Sequence, residues 1–249
     1  MTKRLCRQIG FGKPLLFWGF SLAFGLSRRT SMCSALSSHI LSLLYNQYYF
    51  IFAILPILLF FCGSVMEDDP IIFVLRYGSY KHYFTSKWRS LGVLCSGLWL
   101  GQITILFVTG AGLSVIKQGW DNFSGSSLLK EIAPLLVKSF PGAWVAVFCA
   151  AVYMLMGYWL IALLTLWLGH FLQRQKAIKV LLALYILTIL SIKLPIMSRP
   201  PFCYLTGINH WVLLLHNLTA GWRFPLTVIV TLLFVVTVIC SIQGGWRSA

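Results

Sequence analysis

The chain has 249 residues, of which 59% are hydrophobic and 10% are charged, whereas charged residues alone make up about a quarter of an ordinary soluble domain. This composition excludes a soluble globular protein and indicates an integral membrane protein with one transmembrane domain over residues 1–249. The net charge of +15 does not indicate nucleic-acid binding, because the basic residues are spread thinly between apolar segments. Anionic lipid headgroups and the usual excess of Lys and Arg in cytoplasmic loops account for this charge.

The first predicted element is an apolar segment at residues 14–27, which follows a basic N-terminus. It is shorter than the roughly 20 residues that cross a bilayer, and it extends back to Ile9 only if the Lys13 ammonium reaches out to the headgroups. The sequence therefore predicts either a short first span or an interfacial helix that enters from one side.

Five longer apolar runs follow, at residues 48–66, 91–116, 143–169, 178–197 and 224–242. They predict an all-α integral membrane protein with about six transmembrane helices. Lys and Arg are more frequent in the loops that this plan places in the cytoplasm, so both termini are expected to be cytoplasmic, although Arg28 and Arg29 oppose that bias. Two outer loops, at residues 126–144 and 200–222, carry few charges and are predicted to lie at the interface or to dip partway into the membrane.

The sequence contains none of the common motifs of an enzyme or a metal site. The seven cysteines form no C-x-x-C pair, and no H-E-x-x-H or G-x-S-x-G motif occurs. The segment Gly10–Pro14 lacks the first glycine of a P-loop and has proline where a magnesium-binding Ser or Thr belongs. We therefore expect no enzymatic activity and no cofactor in this chain.

Gly97 and Gly101 form a G-x-x-x-G motif in the third predicted span. Such a pair lets two helices approach closely. The partner helix can belong to the same chain or to a second copy, and the sequence leaves both alternatives open.

An acidic cluster and an aromatic stripe lie between the second and third predicted spans. Glu67, Asp68 and Asp69 precede Pro70, so they would stabilise the positive end of a following helix. In that helix the aromatic side chains would share one face, edged by Arg76, Lys81 and Lys87. The aromatic residues are Phe73, Tyr77, Tyr80, Phe84 and Trp88. Gly78 lowers helix stability, so a break or tight turn is expected there.

This stretch resembles the first cytoplasmic loop of type-two ABC exporter permeases, especially the small permeases of bacteriocin and lantibiotic export or immunity in Gram-positive bacteria. In that family a glutamate precedes a short coupling helix with an arginine-tyrosine-glycine-serine core and a later serine-lysine. The matching positions are Glu67, Arg76, Tyr77, Gly78, Ser79, Ser86 and Lys87. Tyr80 stands where the family usually has a basic residue, and the basic C-terminal tail is shorter here.

The resemblance implies a transmembrane subunit in the bacterial cytoplasmic membrane that pairs with a second permease copy, or with a paralogous permease. Two copies of a separate ATPase would bind ATP and Mg, and they would dock on the coupling loop. The contact residues would then be Glu67, Asp68, Asp69, Arg76, Tyr77, Gly78, Ser79, Lys81 and Lys87.

The scarcity of charge within the spans favours an amphipathic or hydrophobic cargo, and the family favours a peptide. Two other classes remain open from the sequence. One is a non-transporting membrane protein for immunity or scaffolding, and the other is an intramembrane enzyme or a secondary transporter.

Overall fold

The computed structural model describes residues 2–29, 35–66, 77–115, 127–193, 208–218 and 223–243. Every regular element in these ranges is a helix, apart from an isolated β-bridge between Ala35 and Ser114. The helices are α1 (Thr2–Ile9), α2 (Gly12–Arg28), α3 (Leu36–Leu44), α4 (Gln47–Gly63), α5 (Tyr80–Thr109), α6 (Ser127–Ser139), α7 (Ala143–Phe171), α8 (Arg174–Lys193), α9 (Ile208–Val212), α10 (Leu215–Leu218) and α11 (Arg223–Gln243).

Three of these helices are long and apolar enough to cross a membrane: α5, α7 and the Pro225–Ile242 part of α11. Helices α3 and α4 meet at a bend of 50° and add a fourth span if the pair is counted as one. The predicted all-helical membrane protein is thus confirmed, whereas the number of six spans stays a prediction. Helices α2 and α8, which correspond to the first and fifth predicted spans, have 17 and 20 residues.

The N-terminus forms a short amphipathic helix, α1, that the sequence analysis did not separate from the first span. Leu5 and Ile9 are buried four residues apart, while Lys3 and Arg7 are exposed on the other side. Gly10 then adopts a positive φ of 71°, a backbone conformation that favours glycine and ends helices. The turn allows α2 to begin two residues later in a new direction.

The second predicted span differs from a single straight helix. Helix α3 precedes it and is buried along almost its whole length, although it lies between the first and second predicted spans. Within α4 the turn Phe50–Ile54 is π-helical, and the Leu55 N–H donates to the carbonyl of Phe50, five residues earlier. The wider turn lies just before Pro56, which has no N–H to donate to the regular ladder.

Helix α5 joins the predicted third span to the segment before it without a break. It has 30 residues, or about 45 Å at 1.5 Å per residue. Its charged residues all lie at or before Arg89, and the stretch from Ser90 to Thr109 contains none. Since the hydrocarbon core is about 30 Å thick, α5 is about ten residues longer than a single span requires.

Helix α7 lies at the centre of the bundle and contacts α3, α4, α5 and α9. Halfway along it, Gly157 lies against the backbone carbonyl of Trp211 in α9, where a Cβ would come within 2.4 Å of that oxygen. The loop that carries α9 and α10 therefore reaches the middle of α7. The prediction that residues 200–222 lie at the interface or dip partway into the membrane stays a prediction, since the structure describes only 208–218 of them.

Candidate functional site

The candidate site is the end of the bundle at which α5 begins, and a tight turn precedes that helix. Gly78 has a φ of 69°, so the turn expected at this residue is present. The Ser79 hydroxyl then caps the helix by accepting from the His82 backbone N–H at 3.2 Å. Because the chain turns at Gly78 and is extended at Ser79, Tyr77 lies outside the helix that carries Tyr80, and the predicted aromatic stripe does not follow one continuous helix.

Tyr77 nevertheless folds back onto the first turns of α5. Its ring packs edge-on against Tyr83 with centroids 5.5 Å apart, and its hydroxyl accepts a bond of 3.4 Å from Ser86. Gly78, Ser79 and Lys81 are exposed. The turn is therefore anchored by its aromatic residue and presents its small and basic residues outward.

Tyr80 connects the start of α5 to the end of α7. Its hydroxyl lies 2.7 Å from Nδ1 of His170, and the two rings overlap with centroids 4.6 Å apart. The Phe84 and Phe171 rings also contact His170. This cluster, here called the Tyr80–His170 clamp, joins the start of α5 to the end of α7.

Lys87 occupies a different position from Lys81. It is 6% exposed, its ammonium lies 5.8 Å from the centroid of the Tyr83 ring, and it lines a small cavity of about 30 Å³ with Met66 and His170. Lys87 thus faces the interior of the clamp, whereas Lys81 faces outward.

The structure describes some of the other predicted site residues and not others. Glu67, Asp68, Asp69 and Arg76 lie outside the described residues. In the G-x-x-x-G motif, Gly101 lies under the Trp18 indole of α2, which also donates to the Leu98 carbonyl at 3.1 Å. A Cβ at Gly97 would meet no atom within 4 Å, so the two glycines play different roles within one chain.

A buried chain of hydrogen bonds links four helices in the interior. Tyr158 of α7 donates to Oε1 of Gln102 in α5 at 2.7 Å, and Nε2 of Gln102 donates to the Tyr49 hydroxyl of α4 at 3.2 Å. Tyr49 in turn donates to the Ser21 hydroxyl of α2 at 2.8 Å. All four side chains are at most 3% exposed, so each bond satisfies a group that water cannot reach.

A second polar cluster centres on Asn217, whose side chain is fully buried. Its amide nitrogen donates to the Tyr153 hydroxyl at 2.6 Å and to the His210 carbonyl at 2.9 Å. Its amide oxygen accepts from Thr227 of α11 at 2.7 Å. The cluster fixes α9 and α10 between α7 and α11 and leaves Asn217 no spare amide proton.

Neither polar cluster was predicted from the sequence, because both consist of neutral side chains and not of ionisable groups within the spans. Gln102 was the available signal: it is a lone amide in an apolar run, and an amide in hydrocarbon requires partners.

Among the described residues, no three His, Cys, Asp or Glu side chains are placed to hold a metal ion.

Basic residues are unevenly divided between the two ends of the bundle. The end with the Gly78 turn carries ten in the described ranges, namely Lys3, Arg4, Arg7, Lys13, Lys81, Lys87, Arg89, Arg174, Lys176 and Lys179. By helix position the opposite end carries six in those ranges, namely Arg28, Arg29, Lys130, Lys138, Lys193 and Arg223. Within the described residues, the end with the Gly78 turn is therefore the more basic of the two.

Comparison of the chain with family models, with curated proteins and with solved structures gives no match.

Proposed function

We propose that this chain is the transmembrane subunit of an ATP-binding-cassette exporter in a bacterial cytoplasmic membrane. A separate ATPase, present in two copies, would supply the energy, and a second permease, identical or paralogous, would complete the path. The sequence motif around Gly78 supports the proposal by resemblance. The geometry of the turn and of α5 supports it physically.

The observation that carries the proposal is the continuity of α5 with the turn. A force applied to the exposed surface at Gly78, Ser79 and Lys81 acts on a rigid 30-residue helix, and the Tyr80–His170 contact passes it to α7. Rigid-body motion of packed helices is one of the common ways in which a local contact becomes a global change of state. A loop that only anchored the chain at the interface would not need this direct connection.

The distribution of basic residues supports a cytoplasmic position of the turn, and α1 offers a way to test it. Cys6 is exposed on α1, which leads into the start of α2 at the same end as the turn. In intact cells, a variant with Cys6 as its sole cysteine should resist a membrane-impermeant thiol reagent and should react after permeabilisation. Labelling of Cys6 in intact cells would place the turn outside and exclude docking on an ATPase.

The proposed cargo is an amphipathic or hydrophobic molecule, of which a peptide of the bacteriocin type is the family expectation. The described spans contain neutral polar clusters around Gln102 and Asn217, and both clusters are internally bonded. Neither arrangement offers a charged group to bind a small ionic solute. An apolar cargo would travel along helix surfaces that already face hydrocarbon.

The proposal can be tested by charge reversal at matched positions. Lys81 and Lys138 are both exposed lysines near helix ends, at the turn end and at the opposite end respectively. We expect Lys81→Glu, like Arg76→Glu in the same loop, to weaken co-purification of the proposed ATPase with the tagged chain and to reduce cargo-stimulated ATP hydrolysis in proteoliposomes. Lost pairing and new repulsion at a docking interface can each cost a few kcal/mol.

Lys138→Glu should leave both quantities at wild-type levels, since it changes the same charge far from the turn. Wild-type association and stimulation in the Lys81 and Arg76 variants would contradict the exporter proposal. The chain would then be better described as a membrane immunity or scaffold protein.

A further inference from the structure

A groove of about 470 Å³ lies between the start of α2, the second half of α4 and the first half of α8. Its walls are mainly apolar, and they include Phe60, Ile178, Leu182 and Tyr185. On α8 the lining runs from Arg174 to Tyr185, which spans about 16 Å at 1.5 Å per residue. This length is about half the thickness of a hydrocarbon core, so the groove has the depth of one membrane leaflet.

The two charged residues that line the groove are both basic and lie at the same end of it. Lys13 stands in the first turn of α2, with its ammonium 4.8 Å from the centroid of the Phe60 ring and bonded to the Ile9 carbonyl at 2.8 Å. Arg174 begins α8 and is exposed, and the first turn of that helix contains no acidic residue. The mouth of the groove is therefore cationic, and the part beyond it is mainly apolar.

The walls of the groove continue into the apolar outer surface of the bundle. Phe60 is 64% exposed, Leu182 is 55% exposed and Ile178 is 45% exposed. These side chains would face lipid tails in a membrane, so a lipid can enter sideways without crossing a polar barrier.

We propose that this groove binds one anionic phospholipid of the leaflet at the Gly78 end, with its phosphate between Lys13 and Arg174 and an acyl chain along α4 and α8. The positive mouth matches the phosphate, and the apolar walls match the chain. A free phosphate would leave the apolar walls uncovered, and a cationic amphiphile would meet like charge at the mouth. The inference does not depend on the exporter proposal.

The test uses the purified full-length chain in detergent micelles, titrated with dioleoylphosphatidylglycerol or with dioleoylphosphatidylcholine. Native mass spectrometry measures the retained lipid for each. We expect the wild-type chain to retain the anionic lipid preferentially. Lys13→Gln and Arg174→Gln should each reduce that preference about fivefold, because one basic side chain near a headgroup contributes roughly that factor.

The matched controls are Lys176→Gln and Lys179→Gln, which remove the same charge from exposed positions on α8 that do not line the groove. They should keep the wild-type preference. Leu182→Trp gives a separate readout that leaves both cations in place, since it narrows the groove and should reduce retention of the anionic lipid.

Equal retention of the two lipids by the wild-type chain would overturn the proposal. Equal losses in the groove variants and the α8 control variants would also overturn it, because a diffuse surface charge would then explain the binding. Displacement of the anionic lipid by inorganic phosphate alone would assign the site to a free anion and would likewise contradict the proposed lipid site.

Discussion

The inner helices of the bundle and the outer helices α8 and α11 are held in place by different means. In α7, 56% of the most apolar 18-residue stretch is buried inside the chain, compared with 11% in α11. The inner helices α2, α4, α5 and α7 share the hydrogen bonds of Gln102, and glycines allow close contacts between them. By contrast, α11 is joined to its neighbours near its two ends, where Thr227 donates to Asn217 at 2.7 Å and the Trp167 indole donates to Ser241 at 3.0 Å.

This difference reflects the physics of a lipid solvent. Lipid tails are as apolar as leucine, so burying apolar surface between helices contributes little to association. Close packing and interhelical hydrogen bonds remain, and the inner helices have both. The outer helices lack most of these contacts, so their exposed apolar faces are available to lipid or to another protein.

The largest expected effect concerns the close contact between α7 and the loop that dips into the bundle. Gly157→Val places a side chain against the Trp211 carbonyl, and a backbone group cannot turn aside as a flexible side chain can. We expect a loss of about 3 kcal/mol in the free energy of unfolding, measured by titration with sodium dodecyl sulfate. Gly19→Val is the matched control, because a Cβ at Gly19 would meet nothing within 4 Å; similar losses in the two variants would refute the contact.

A smaller effect is expected for the polar chain. Gln102→Leu keeps the volume but leaves the Tyr158 and Tyr49 hydroxyls without their shared partner, and should lower the unfolding free energy by about 2 kcal/mol. Thr104→Val on the same helix removes a hydroxyl that bonds within α5, to the Leu100 carbonyl at 2.9 Å. That control should change the free energy of unfolding little. A Gln102→Leu variant with the wild-type free energy of unfolding would show that the chain of bonds does not hold the inner helices.

The smallest expected effect concerns α11. Trp167→Phe removes the bond to Ser241 while keeping an aromatic ring, and should cost about 0.6 kcal/mol, the average for an interhelical hydrogen bond in a membrane. The same titration measures it, with Trp144→Phe as a matched indole control. A loss as large as that of Gln102→Leu would contradict the division into inner and outer helices.

Much of the helical architecture could be predicted from the sequence, because a bilayer requires long apolar helices. The runs at 143–169 and 224–242 match α7 and α11 within a few residues. The turn at Gly78 was expected from the low helix propensity of glycine. These features depend on local composition, which a single sequence reports directly.

The remaining features depend on contacts between distant residues. The burial of α3, the π-helical turn before Pro56 and the Tyr80–His170 clamp each need a neighbour that the sequence order does not reveal. The same holds for Lys87, which sequence position alone groups with the exposed Lys81. Its burial against Tyr83 follows from how α5 packs.

The proposed coupling between the Gly78 turn and the rest of the bundle can be tested directly at Gly78. Gly78→Val forces a β-branched residue toward a φ of 69°, which such residues rarely adopt, while its Cβ would meet no atom within 4 Å. Cargo-stimulated ATP hydrolysis is measured in proteoliposomes that contain the chain and the proposed ATPase, with Gly97→Val as the matched control. We predict a wild-type yield of inserted protein for both variants and a loss of stimulated ATP hydrolysis for Gly78→Val alone. Full stimulation in the Gly78→Val variant would contradict the proposal that the turn receives the motion of an ATPase.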